Sequence, residues 1–434
     1  MSGSNACTAF LGTVPVADIM RLDGCSFMLE YRNSWTDSPL GFPLSPCLPF
    51  TKTSDPDASY AFFENMLPEG QALEILSQKN GISRKYVLDL AMALHNDLPG
   101  ALRLYSEERP NIAERNTFRP IKEPEIIQRL EHPDFFPMSV WDGKPRLSLA
   151  GVQTKINVLK KGAEYGLADG PDTASNAILK FESTRQKHLL LNEHLCMELA
   201  RALGHPVAQT RLIRFGQYRA LEILRFDRKV SDLGVRRIHT IDGCQALGLP
   251  SAYKYERQFG DGKDVAFIRD GANLKRLFNI RGLQNPLAAW ENLFDWVIFN
   301  LLIGNSDAHG KNFSFFGSHR GFRPAPWYDL VSVRLIPDVS HTLAMSVGEE
   351  FDPENVHALQ LLYLADDVAL TKEFAVYRLR RMIKLCAPAL ERLGETVSDP
   401  DSEEREFMET FKASIRQNLA YWRDQSRILP SLSL

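Results

Sequence analysis

Alternating and helical hydrophobic patterns divide the chain near its middle. Residues 1 to about 60 carry short apolar or alternating runs, Thr8 to Val16 and Ser26 to Tyr31, punctuated by Gly24, Pro39, Gly41, Pro43, Pro46 and Pro49. This pattern predicts a small antiparallel sheet. Helical periodicity follows over 59–77 and 83–95 and stops at Asp97-Leu98-Pro99-Gly100, ahead of a short strand at 101–105. Residues 106–140 are charged and contain proline, which suits a surface connection with one helix near Glu123 to Leu130. Strand-like runs return at 146–159, 177–182, 210–215 and 218–224, with a helix at 189–203 among them. After Arg228 nearly everything periodic is helical, apart from a charged, loosely patterned stretch at 395–406. The expected division is a first lobe over 1–225 and a helical second lobe over 226–434. The first lobe would hold a small sheet in 1–60, a helical segment in 61–140 and a second sheet in 146–225.

One run stands out within the helical half. Leu287 to Ile303 reads LAAWENLFDWVIFNLLI, apolar on nearly all sides, with Trp290, Phe294, Val297 and Leu301 at helical spacing and Gly304 where a helix C-cap belongs. Glu291, Asn292, Asp295 and Asn300 interrupt it too often for a membrane span. A buried helix therefore delivers the dense polar octapeptide Asn305-Ser306-Asp307-Ala308-His309-Gly310-Lys311-Asn312. Rigid elements presenting polar loops are how active sites are usually built.

Within that loop Asp307 and Asn312 stand in an Asp-x4-Asn spacing. Protein-kinase catalytic loops use the same offset to set a proton-accepting Asp beside a magnesium-binding Asn. Trp327-Tyr328-Asp329-Leu330 follows, with Asp329 placed 17 residues after Asn312, an interval at which a short hairpin could return a second carboxylate to the same cleft. Phosphoryl transfer asks little covalent chemistry of a protein; it needs oxygens for magnesium and one carboxylate to orient the attacking hydroxyl. The bland alternative for Asn-Ser-Asp is a turn or helix cap.

Composition narrows the classes. A chain of 434 residues, 44% hydrophobic and 24% charged, can bury a large core and suits two domains or one two-lobed enzyme. A net charge of −3 argues against general nucleic-acid binding, so any contact with DNA must come from a local basic face, helped by a partner. The six cysteines lack Cys-x-x-Cys spacing and read as reduced thiols, which argues against a zinc site. MSGSNACTAFLGTVPV has no basic segment followed by a sustained apolar one, so a cytoplasmic location is expected.

Upstream, the chemistry is ordered as in a kinase read from N-lobe to C-lobe. Leu147-Ser148-Leu149-Ala150-Gly151-Val152-Gln153-Thr154-Lys155 turns through one glycine and can offer backbone N–H groups and Lys155 to phosphate oxygens, although an ordinary hairpin turn reads equally well. Asn176-Ala177-Ile178-Leu179-Lys180-Phe181-Glu182 sets a lysine inside an apolar strand, where an ammonium needs a carboxylate or phosphate partner. Glu193, in the next helix, is a candidate partner; the competing reading puts it in the first turn, favoured by the helix dipole. Leu221 to Arg228 then leaves the first lobe as a hinge strand, whose backbone at Leu224 and Phe226 could read adenine. Arg225, Asp227 and Arg228 suit a structural ion-pair cluster.

Seven ordered segments together resemble bacterial HipA-type serine/threonine kinases, the toxin halves of HipA/HipB toxin-antitoxin pairs. They are Phe62 to Pro68, Ser148 to Lys155, Ile178-Leu179-Lys180, Arg225 to Arg228, Cys244 to Gly248, Asp307 to Asn312, and Tyr328-Asp329. The resemblance covers nearly the whole chain and implies an α/β, two-lobed protein-kinase-like fold. It implies Asp307 as catalytic base, Asn312 and Asp329 as magnesium ligands and Ser148 as an autophosphorylation site. ATP contacts would come from Ala150, Gly151, Val152, Gln153, Thr154, Lys155, Lys180, Leu224, Arg225, Phe226, His309, Lys311, Asn312 and Asp329. The implied partners are a HipB-like helix-turn-helix antitoxin dimer, operator DNA through that complex, and a protein substrate such as an aminoacyl-tRNA synthetase. Thr154 and Leu224 depart from the acidic residues of the best-known relative, which bears on nucleotide affinity and loop dynamics.

Two other readings share these parts: a non-catalytic corepressor subunit, and a small-molecule phosphotransferase. Retention of Asp307, Asn312, Asp329 and Lys180 together argues against the first. Arg378, Arg381 and Lys384 recur at three-residue intervals around Phe374 to Leu385, a stripe that could touch DNA phosphates or simply be solvated.

Overall fold

A computed structural model of the chain describes residues 4–22, 24–50, 54–94, 97–106, 116–146, 153–170, 173–182, 186–232 and 234–434. Ser148, Ala150, Gly151 and Val152 lie outside the described residues. The chain forms two compact units and passes between them repeatedly. The first comprises Met1–Ser183, Ile213–Ser251 and Phe315–Phe322; the second comprises Thr184–Leu212, Ala252–Ser314 and Arg323–Leu434. Where the pattern suggested one boundary after residue 225, helix Leu189–Ala202 thus belongs with the second unit and a stretch beyond 225 with the first.

Two antiparallel sheets frame the first unit. β1 (Ser4–Leu11), β2 (Val14–Arg21), β3 (Phe27–Tyr31) and β4 (Leu102–Tyr105) are ordered β3-β2-β1-β4. The run read as Thr8 to Val16 is a hairpin rather than one strand: it turns at Gly12, whose φ of +63° suits a residue without Cβ. Helix Pro56–Glu64 covers this sheet, Phe63 meeting Phe27 edge-to-face at 5.7 Å. The helix expected over 59–77 is two helices, Pro56–Glu64 and Gly70–Asn80. Pro68 lies in the break, lacking an N–H and disfavouring helix at the residue before it.

After β5 (Thr117–Pro120) and the small hairpin β6 (Val140–Trp141) and β7 (Lys144–Pro145) comes the second sheet. It uses β8 (Lys155–Lys161), β9 (Glu164–Asp169), β10 (Ala177–Phe181), β11 (Thr210–Phe215) and β12 (Tyr218–Leu224) in the order β11-β12-β10-β8-β9-β5. One face is apolar: Ile156, Val158, Leu179, Phe181 and Ala220 pack with Trp141 and Ile126. Past Arg228 the chain is not all helical. β13 (Arg228–Ser231) pairs with β14 (Gly234–Arg237), and β15 (Thr240–Asp242), β16 (Ser314–Ser318) and β17 (Gly321–Pro324) form a three-stranded sheet. RKVS and GVRR carry too few apolar residues to announce strands by alternation.

The second unit is built on helix Pro286–Ile303. Asn285 accepts the Ala288 N–H at 3.2 Å, Pro286 fills the first position, and Gly304 caps the other end at φ +68°. Helices Lys372–Glu391 and Ser402–Ile428 pack against it. Phe374 meets Phe294 at 5.5 Å, and the Asn418 amide donates to the Leu302 carbonyl at 3.0 Å. Among the described residues no helix is long and apolar enough to cross a membrane.

Candidate active site

The octapeptide is held by its own amides. Beyond Gly304, the Asn305 N–H donates to the Asn300 carbonyl at 2.8 Å and its side-chain amide to Asn300 Oδ1 at 2.7 Å. Asn305 Oδ1 accepts the Asp307 N–H at 3.2 Å, and the Asp307 carbonyl accepts the His309 N–H at 2.9 Å. Gly310 to Asn312 then form one 3-10 turn. The buried helix is thereby wired, atom to atom, to a loop whose Asp307 side is exposed while His309, Lys311 and Asn312 are buried.

The hairpin of β16 and β17 returns the chain, as its length suggested. Asn312 Nδ2 donates to Asp329 Oδ2 at 3.1 Å. Tyr328 fixes the arrangement beneath: its hydroxyl lies 2.6 Å from Ser314 Oγ and donates to the Lys311 carbonyl. Asp329 has φ +55°, a left-handed conformation that aspartate adopts more readily than most residues with Cβ. Asn312 and Asp329 together offer an amide oxygen and a carboxylate, hard donors of the kind magnesium takes. Two protein ligands suit an ion that keeps waters and phosphate oxygens in its remaining positions.

Trp327, two residues before Asp329, is clamped from several sides. Its N–H donates to the Pro206 carbonyl and its carbonyl accepts the Ala208 N–H, at 2.8 and 2.9 Å. The His205 ring stacks on the indole at 4.2 Å, and the indole N–H donates to Asn292 Oδ1 at 3.0 Å. Burial, with Arg381 and Arg378 nearby, lowers His205 to about 4, so it is a neutral packing ring at ordinary pH.

In the first unit, Lys180 on β10 lies directly opposite Lys155 on β8, and each is under a tenth exposed. Directly paired residues share one face, here the face opposite the Leu179 and Ile156 core. Two like charges so placed repel unless anionic groups lie near both. Thr154 is exposed, its carbonyl accepting the Phe181 N–H at 2.9 Å, while Gln153 Nε2 donates to the Phe181 carbonyl at 3.4 Å. Glu193 is 1% exposed and sits beyond the first turn of its helix, so the dipole reading of this residue is corrected. It belongs to the second unit and Lys180 to the first.

The hinge segment is mixed. Leu224 pairs with Ala177, and Phe226 packs edge-to-face on Phe316 at 5.9 Å. Arg225 is consumed by structure: its N–H donates to the Asn176 carbonyl at 2.9 Å and its guanidinium bonds both oxygens of Asp227, Ser175 Oγ and Asp97. Arg228 donates to Asp227 Oδ2 at 2.7 Å and to the Gly100 and Leu98 carbonyls, each at 2.8 Å. Burial alone would raise the Asp227 pKa, but the two guanidiniums outweigh it and hold the carboxyl well below its usual range. Burial, reinforced by the like charge of Arg225, lowers Arg228 to about 10.

The basic stripe is corrected at one position. Arg378 is buried, its Nε donating to Asp295 Oδ1 at 2.8 Å and a second nitrogen to Oδ2. Burial raises the Asp295 pKa despite this pair. Arg381 and Lys384 instead line an open groove of about 790 Å³ with Lys372, Arg380 and Tyr377. Sequence reasoning also missed Tyr255, whose hydroxyl reaches Asp307; nothing in the local pattern around KYE signals that contact.

Residues 7–105 match the family model of the HipA N-terminal domain, and residues 147–390 match that of the HipA-like C-terminal domain. The chain is 39% identical to the serine/threonine-protein kinase toxin HipA of Shewanella oneidensis, over 90% of this chain and 89% of that one. It is 31% identical to a putative kinase of Sinorhizobium fredii over 85% and 87% of the two chains. The solved complex of Shewanella oneidensis MR-1 HipA with HipB and its operator DNA matches 99% of this chain and 100% of that chain, with a TM-score of 0.90 and 36% identity. That likeness agrees with the α/β kinase-like fold expected above. By matched domains, extended identity and fold, the chain belongs to the HipA family of serine/threonine-protein kinase toxins.

Proposed function

We propose that Asp307, Asn312 and Asp329 carry the phosphoryl transfer of this kinase from ATP to a serine or threonine hydroxyl. Asp307 orients the acceptor and takes its proton as the new O–P bond forms and the bond between the γ-phosphorus and its bridging oxygen breaks. Asn312 and Asp329 hold magnesium, which supplies neutralising charge on the nucleotide phosphates. Lys155, Lys180, His309 and Lys311 bind phosphate oxygens, with Gln153 and Thr154 beside them, while backbone at Leu224 and Phe226 receives the adenine. The observation that carries this reading is the 3.1 Å contact of Asn312 with Asp329, which joins the Asp-x4-Asn loop to the returning carboxylate.

We further infer a helix-turn-helix antitoxin of HipB type as partner, operator DNA through that complex, and a cellular protein as acceptor, an aminoacyl-tRNA synthetase being the candidate. The relative solved with HipB and operator DNA supports the first two. The test is transfer of the γ-phosphate of labelled ATP into a bacterial lysate, with mass spectrometry of the labelled protein. Label on a serine or threonine of one protein is expected; label confined to a small molecule would overturn the protein-kinase reading.

A further inference from the structure

The Asp307 carboxylate carries a hydroxyl donor that no part of the kinase reading requires. Tyr255 Oη donates to Asp307 Oδ1 at 2.8 Å. Tyr255 lies outside any helix or strand and is half-buried, a setting in which a tyrosine would ordinarily sample several rotamers. Here the backbone on both sides of it is fastened. The Lys254 carbonyl accepts the Gly310 N–H at 2.9 Å, bonding it to the turn that follows Asp307. The Glu256 N–H donates to the Ala344 carbonyl at 2.9 Å, and the Ala344 N–H donates in turn to the Ser306 carbonyl at 2.8 Å, next to Asp307 on its other side.

The anchor beneath is ionic. Glu256 is 2% exposed; its carboxylate accepts the Ser346 N–H at 2.7 Å and the Ser346 hydroxyl at 3.2 Å, and pairs with Arg269. Gly271 backs the same segment so closely that a Cβ there would lie 1.8 Å from the Tyr255 carbonyl oxygen. The phenol ring stands edge-to-face against His309 at 5.3 Å. Helix, loop and anchor therefore converge on one hydroxyl and one carboxylate oxygen.

We propose that Tyr255 is a positioning residue for Asp307: its hydroxyl holds Oδ1 so that Oδ2 faces the acceptor hydroxyl and takes its proton. A donor on one oxygen fixes the carboxylate plane and so the direction in which the other oxygen faces. The proposal rests on the reading of Asp307 as that acceptor. It assigns no contact between Tyr255 and the nucleotide, so loss of the hydroxyl slows transfer without weakening ATP binding.

The test uses the full-length protein, labelled ATP and a bacterial lysate as acceptor. Tyr255→Phe removes only the hydroxyl; its thermal melt should match wild type. Its rate at saturating ATP should fall about 10-fold to 100-fold, the range for a hydrogen bond to a charged group, with the half-saturating ATP concentration unchanged within about twofold. In an Asp307→Asn background Tyr255→Phe should cost nothing further, because residues acting as one unit are not additive. A Tyr255→Phe rate at or above wild type would overturn the proposal by making the hydroxyl idle or a cover on the base. A multiplicative fall in the double variant, or a rise in half-saturating ATP well beyond twofold, would also overturn it. If Asp307→Asn alone retains the wild-type rate, the reading of Asp307 itself fails; if only Tyr255→Phe is silent, that reading stands and the Tyr255 role falls.

Discussion

Asn312 and Asp329, 17 residues apart in the chain, touch through a hydrogen bond of 3.1 Å from the Asn312 amide to the Asp329 carboxylate. The bond sets an amide and a carboxylate side by side at the end of a buried helix and the foot of a hairpin. A metal held there loses a charged ligand in Asp329→Asn while keeping the neutral one. The magnesium concentration that half-saturates the transfer rate should rise at least about tenfold, as losing even a hydrogen-bond partner of a metal ligand can cost that much. Titrating magnesium against initial rate checks this; a superimposable curve would remove Asp329 from the metal role.

The ion cluster under the hinge predicts a stability effect instead of a catalytic one. Asp227→Asn leaves Arg225 and Arg228 buried without their shared carboxylate, and breaking such a pair costs about 3–5 kcal/mol. Because the folded Asp227 pKa is depressed, its stabilisation is complete above the unfolded value of about 3.9 and is lost as pH falls from there through the folded value. Thermal melts taken from pH 5 down to pH 2 should show a decline below about pH 4 that is steeper in wild type than in the variant. Equal slopes would mean the cluster does not hold Asp227 ionised.

Much of this was legible in the sequence, and the failures have physical causes. The helix ending at Gly304 could be read because its cap, its apolar run and its polar successor all agree. The two helices merged over 59–77 are separated by residues 65–69, where Pro68 is the one strong breaker. The register that sets Lys155 opposite Lys180 is a property of strand pairing, invisible along one strand. Arg378 looked like a surface charge because its spacing from Arg381 and Lys384 is helical; that it turns inward depends on Asp295, 83 residues away. Tyr255 likewise reaches Asp307 only through tertiary structure.

Arg378 and its neighbours separate two effects on DNA binding. Arg381→Ala with Lys384→Ala should lower the salt dependence of operator binding by the antitoxin complex, the slope falling by roughly 0.9 for each DNA phosphate that is no longer neutralised. Arg378→Ala should chiefly lower the melting temperature, since it removes the two-pronged partner of the buried Asp295 and leaves it only longer contacts such as that to Arg381 at 3.6 Å. Binding isotherms over a salt series check the first; an unchanged slope would leave the groove as a solvated surface.

Ser148 falls in the segment that precedes Thr154 and is expected to become phosphorylated. The phosphate adds about −1.5 to −2 charges beside the residues proposed to meet ATP, so nucleotide binding should weaken. Incubation with magnesium and ATP, phosphopeptide mapping and nucleotide titration decide it. An unmodified Ser148, or equal ATP affinity in the modified form, would contradict the expectation.

On this reading Asp307 accepts the proton of the hydroxyl under attack. Asp307→Asn keeps the size of the side chain and removes its basicity. The most direct measurement is the initial rate of label transfer from ATP to protein by the purified variant, beside a melt showing that it is folded. A fall of about 10²-fold to 10⁴-fold is predicted for loss of the proton acceptor; transfer at the wild-type rate would contradict the account.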